Sequence, residues 1–142
     1  QLSIRHMSVA ADGSIWFGGQ YEGPETDPVD LVGVHRRGAA AAELVSAPRS
    51  AYGGMRQYVG DMAVSQDGRR IAASSPVGGR LMIFDAKTRN LVATRDVADV
   101  CAITGEGSDF FSTDGRGRLW RGDTLLSEDP AVAWDNHICR LG

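Results

Sequence analysis

The chain repeats itself, and the repeat limits what it can fold into. Met7-Ser8-Val9-Ala10-Ala11-Asp12-Gly13 is answered by Met62-Ala63-Val64-Ser65-Gln66-Asp67-Gly68. Each is a short apolar run ending in Asp-Gly. Each is followed by a second run, Ser14-Ile15-Trp16-Phe17 in one case and Arg70-Ile71-Ala72-Ala73 in the other. Asp-Gly between two such runs predicts a hairpin, because the tight turn needs positive φ. A looser third copy runs Cys101-Ala102-Ile103-Thr104, turns at Gly105-Glu106-Gly107, and returns as Asp109-Phe110-Phe111-Ser112.

The second half of each unit repeats as well. Gly79-Arg80-Leu81-Met82-Ile83-Phe84-Asp85 matches Gly117-Arg118-Leu119-Trp120-Arg121-Gly122-Asp123 at an offset of 38, and Val64 to Ile103 is an offset of 39. After Phe84 a polar turn, Asp85-Ala86-Lys87-Thr88-Arg89-Asn90, leads to a fourth run, Leu91-Val92-Ala93-Thr94. Four antiparallel strands in about 40 residues are the pattern of a propeller blade. The 18 glycines among 142 residues suit many tight turns. The first unit is longer, its excess falling at residues 18–28 and 47–58, which read as loops inserted on a blade.

The expected fold is therefore all-β, a partial β-propeller of about three four-stranded antiparallel blades. These cover roughly 1–57, 58–98 and 99–133, followed by a terminal strand over 134–142 centred on His137-Ile138-Cys139-Arg140-Leu141. Helix should be nearly absent. Ala39 to Leu44 is the one good helix-forming run, and six residues are too few to stand alone. Three blades cannot close a ring, since propellers have about four to eight. The open faces are expected to meet either the missing N-terminal part of a longer parent chain or a second copy, most simply in a two-fold dimer.

Charge and composition exclude several roles. Fifteen basic against 18 acidic side chains give a net charge of −3, a poor basis for binding nucleic acid. No apolar run reaches the roughly 20 residues of a membrane span. Gly-rich phosphate loops, His-Glu-x-x-His, Cys-x-x-Cys and the Gly-x-Ser-x-Gly elbow are missing from the sequence. Cys101 and Cys139 are too few for a disulfide framework, and reduced thiols are expected, with one bridge between them as the alternative. The first residue, Gln1, fits a chain whose leader has been removed or that is a piece of something longer.

Five ordered stretches carry a resemblance to a known family. They are Gln1-Leu2-Ser3-Ile4-Arg5-His6, Trp16-Phe17-Gly18-Gly19-Gln20-Tyr21-Glu22-Gly23, Ser74-Ser75-Pro76-Val77-Gly78-Gly79-Arg80, Asp99-Val100-Cys101 and Trp134-Asp135-Asn136-His137. In these the chain resembles the central and later motifs of the bacterial family of unknown function DUF1513. It departs from them at Val77, where an Arg is usual, and at Ala102, where a Gly is usual. The resemblance implies a propeller-like parent of about twice this size, exported to the periplasm by the twin-arginine route. It also implies genes beside imelysin-type iron-uptake proteins, so periplasmic iron-uptake proteins are the partners it suggests. No activity comes with it.

Aligning the repeats gives the candidate site. Three positions before Val9, Val64 and Ile103 stand His6, Asp61 and Val100, with Asp99 one step back, and His137 takes the same place before the last strand. First strands of propeller blades line the central channel, so these side chains should approach one mouth. Imidazole and carboxylate there would suit a transition-metal ion, with His6, Asp61, Asp99 and His137 as its ligands. His6 and His137 are expected to lie too far apart to share one ion without the rest of the parent. The same mouth could instead hold a polar ligand: His6, Asp61, Asp99 and His137, together with Gln20, Arg80 and Asp114, which fall in loops that share one face, are candidates for ligand binding. Trp16, Trp120 and Trp134 read as packing between blades. The function this favours is a non-catalytic module that binds a ligand or protein in bacterial iron acquisition. The alternative is a metal-dependent enzyme or redox partner using the His/Asp rim.

Overall fold

The computed structural model describes residues 1–27 and 29–139. Twelve strands and one short helix follow in chain order: β1 Leu2–Val9, β2 Ile15–Tyr21, β3 Val32–His35, β4 Glu43–Leu44, α1 Arg49–Gly53, β5 Asp61–Val64, β6 Arg70–Ser75, β7 Arg80–Asp85, β8 Leu91–Asp96, β9 Val100–Glu106, β10 Asp109–Asp114, β11 Arg118–Arg121 and β12 Thr124–Glu128. They form three antiparallel four-stranded meanders, β1–β4, β5–β8 and β9–β12. The fold is that of propeller blades that do not close into a ring.

The repeated Asp-Gly turns form as their chemistry requires. Gly13 and Gly68 adopt φ of 79° and 73°, and each donates its N–H to the carbonyl three residues back, Ala10 and Ser65, at 2.9 Å. Asp12 accepts from the N–H and hydroxyl of Ser14 at 2.9 and 2.6 Å. Asp67 accepts from the Ser65 hydroxyl at 2.7 Å.

The middle blade is buried on both faces, and its strands show it. Ile71, Ala73, Met82 and Phe84 face the first blade, where they pack with Trp16, Val32 and Val34. Their neighbours Ala72, Leu81 and Ile83 point the other way, onto Ile103 and Phe110 of the third blade. That is strand periodicity with both faces apolar. Gly105 shows how close the blades come. A Cβ there would lie 2.3 Å from the Val64 carbonyl oxygen, so β9 runs directly against the backbone that follows β5. The outer blades present apolar side chains to solvent, with Ile4, Met7 and Val9 on β1 and Leu125 and Leu126 on β12.

Two expectations about local structure are corrected. The insertion over 47–58, expected as a loop, carries a short helix at Arg49–Gly53, while the Ala39-to-Leu44 run forms none, as expected, and its last two residues pair as β4 with β3. Tertiary packing decides this: Tyr52 is buried and its hydroxyl donates to the Val45 carbonyl at 2.5 Å. The insertion is thus a packed plug rather than an open loop, with Met55 and Val59 fully buried beneath it. The expected terminal strand is not found among the described residues, because 134–139 run without regular structure. The rest of that expected strand, Arg140 to Gly142, lies outside the described residues.

Candidate functional site

Three segments converge on one point. His6 comes from β1, where the register with β2 shifts between Ile4 and His6. Such a bulge re-aims the side chains beside it. Gly18 and Gly19 stand opposite His6 and Ile4. A Cβ at Gly18 would lie 2.3 Å from Val59, so only glycine lets the plug approach this closely.

Asp61 opens β5 and is 6% exposed. Its Oδ1 accepts from the Met62 N–H and its Oδ2 from the Ile103 N–H on the next blade, both at 2.9 Å. The carboxylate is therefore fixed in place and still has lone pairs to offer. His137 arrives on the segment after β12, in the left-handed region at φ 76°. Its Nδ1 lies 3.4 Å from Asp61 Oδ1, and its ring centroid is 5.2 Å from that of His6. The expectation that the two histidines are too far apart is thus corrected. The tail crosses back over the inner strands rather than extending a fourth blade outward.

Burial holds His6 below the usual imidazole range, Asp61 opposes that, and the charges of His137 and Arg5 add to the lowering. The ring is neutral near pH 7 and its lone pair is available. Donor atoms of His6, Asp61 and His137 all lie within 4.8 Å of one another.

The other candidates are placed elsewhere. Asp99 is not in this group. It has φ 61° and its carboxylate sits over Gly115, where a Cβ would come 2.0 Å from Oδ2. Its carbonyl accepts the Gly115 N–H at 3.2 Å. Gln20 accepts from Arg5 at 3.0 Å, close to His6 in the chain. Arg80 is committed within the fold, donating to Asp96 at 2.8 Å and to the Ser50 carbonyl of α1 at 3.0 Å. It pins the plug to the middle blade. Asp114 is wholly buried. It accepts from Arg118 Nε at 2.8 Å and Trp120 Nε1 at 3.0 Å, so it faces its own blade and not the loop surface.

Of the three tryptophans, only Trp16 is an inter-blade side chain in the expected sense, 6.1 Å from Phe84. Trp120 lies under the Arg118 guanidinium, and Trp134 is 45% exposed on the tail. Sequence reading missed a cavity of about 450 Å³ beneath the plug, lined by Asp30, Arg49, Tyr52, Arg56 and Gln57 among others. No motif marks it, because its walls come from the two insertions and the residues that flank them.

Both cysteines are free, Cys101 buried and Cys139 exposed. Burial, with Asp99, Asp135 and Asp114 nearby, pushes the Cys101 thiol up to about 11. At pH 8 its thiolate fraction is then roughly one in a thousand. Titration of native protein with a thiol reagent should show one fast equivalent from Cys139, with the second appearing only on unfolding. Two fast equivalents would contradict the burial of Cys101.

The fold and mouth define a propeller-like chain of three unclosed blades with a His-Asp-His cluster where the inner strands meet. The chain belongs to the family described as protein of unknown function (DUF1513), which matches residues 1–141. A search of the curated proteins finds no match. Among solved structures, U3-55K is similar with a TM-score of 0.63 at 16% identity, over 89% of this chain and 39% of that one. A virginiamycin B lyase from Staphylococcus aureus gives 0.60 at 13%, over 88% and 40%. Saccharomyces cerevisiae Sqt1 gives 0.59 at 13%, over 83% and 32%. The chain thus spans about two fifths or less of these proteins. At such identities the likeness shows the fold alone.

Proposed function

We propose that the chain is a non-catalytic part of a binding module, holding a protein or small ligand at the mouth where β1, β5 and the tail meet. The observation that supports this best is the convergence of polar side chains from three distant segments on an inner-strand surface. Among the described residues, no hydroxyl or thiol hydrogen-bonds to a histidine: His35 meets the Ala39 carbonyl and His137 meets Asp61. A hydroxyl or thiol nucleophile activated by a histidine base would need such a pair. The setting we propose is an exported protein serving bacterial iron acquisition, with an imelysin-type iron-uptake protein as partner. Among the described residues, no helix is long and apolar enough to cross a membrane.

Calorimetry of the full-length protein against an imelysin-type iron-uptake protein tests this. A saturable complex is expected, weakened at least tenfold by Arg5→Glu, which reverses a rim charge that holds Gln20 and approaches Glu22. No complex, or one indifferent to this change, would refute the reading.

A further inference from the structure

Among the described residues, only His6, Asp61 and His137 bring three potential metal donors together. We propose that they bind one divalent first-row transition-metal ion of the zinc or ferrous class, closing the tail onto the inner strands. The inference deepens the binding role proposed above by naming a ligand for the same mouth. Two imidazole nitrogens and one carboxylate oxygen suit Zn²⁺ or Fe²⁺. They do not suit Ca²⁺ or Mg²⁺, which take oxygen donors, or Cu⁺, which prefers sulfur.

The geometry says how the site would close. Two donors bound about 2.1 Å from one ion lie roughly 3.4 Å apart in a tetrahedron. The 3.4 Å between His137 Nδ1 and Asp61 Oδ1 already has that value. The widest separation in the group, at most 4.8 Å, must contract. Asp61 cannot move far, since two backbone N–H groups hold it and one belongs to the next blade. His137 can move, because its side chain is 67% exposed on a segment without regular structure. Three protein donors leave at least one position open, so the ion could take a further ligand from a partner or small molecule.

The experiment is a titration of chelator-stripped full-length protein with Zn²⁺ and with Co²⁺ under exclusion of air. It is read by calorimetry, by the visible spectrum of Co²⁺ and by intrinsic tryptophan fluorescence. One equivalent should bind, with tryptophan emission changing as the tail closes and with no competition from millimolar Mg²⁺. His6→Ala and His137→Ala should each lower affinity about 100-fold. Both side chains lie outside the buried core, so the variants should melt near the parent. His35→Ala and Cys139→Ser should bind as the parent does. Absence of binding overturns the site, as does binding that survives both histidine changes or depends on Cys139. Metal binding without partner binding would retain this site and remove the partner reading. Partner binding without metal binding would do the reverse.

Discussion

Asp114→Ala is expected to destabilise the fold by about 3–5 kcal/mol, the usual cost of stranding one member of a buried ion pair. Asp114 is wholly buried, and Arg118 is 19% exposed at its side chain. One carboxylate binds the Arg118 guanidinium and the Trp120 indole N–H, and also accepts the Arg116 N–H at 2.9 Å. It thereby fixes the turn between β10 and β11 and the cation-π contact of Arg118 with Trp120, at 5.2 Å. Removing it leaves a charge, an indole donor and a turn amide without their acceptor. Thermal melts should fall by roughly 10–15 °C in a domain of this size. The double variant Asp114→Ala with Arg118→Met should recover part of the loss, because the stranded charge goes too. A loss below about 1 kcal/mol would mean that water reaches these groups and that the network is not buried.

This residue also shows where sequence reading ran out. The repeat read Asp114 as a loop residue, one position before Gly115, whereas it closes strand β10. Position alone does not say whether a loop carboxylate turns outward or back onto its own blade. That depends on Arg118 and Trp120 presenting donors from β11, a match visible only once the hairpin is built. The same holds for Arg80, whose partner Ser50 lies on a plug that the sequence offered only as a loop.

What was legible has a physical reason. Asp12-Gly13 and Asp67-Gly68 carry the turn in their own backbone preferences, so they announce the hairpins locally. The continuous apolar runs of β6 and β7 announce a blade covered on both sides. The meeting of His6 with His137 was not legible, because it depends on a bulge at Arg5 and on the path of an irregular tail. Neither has a local signature.

Trp16 offers the second large effect, and its two variants separate packing from polarity. The side chain is fully buried between the first and second blades, tilted against Phe84 at 6.1 Å. Trp16→Ala should cost about 3–5 kcal/mol through lost burial and the cavity left behind. The melt should drop by roughly 10–15 °C. The indole Nε1, however, is buried without a hydrogen-bond partner. An unmet donor of this kind carries a desolvation penalty of about 1–3 kcal/mol. Trp16→Phe removes that donor and keeps an aromatic ring in contact with Phe84. Its loss of packing is therefore partly offset, and its total cost should stay well under half that of alanine. If phenylalanine proves as damaging as alanine, the indole N–H has an acceptor in solution, such as an ordered water, and polarity contributes to the blade interface. If both changes are mild, the first two blades are held by the plug of Tyr52, Met55 and Val59 rather than by the strand faces.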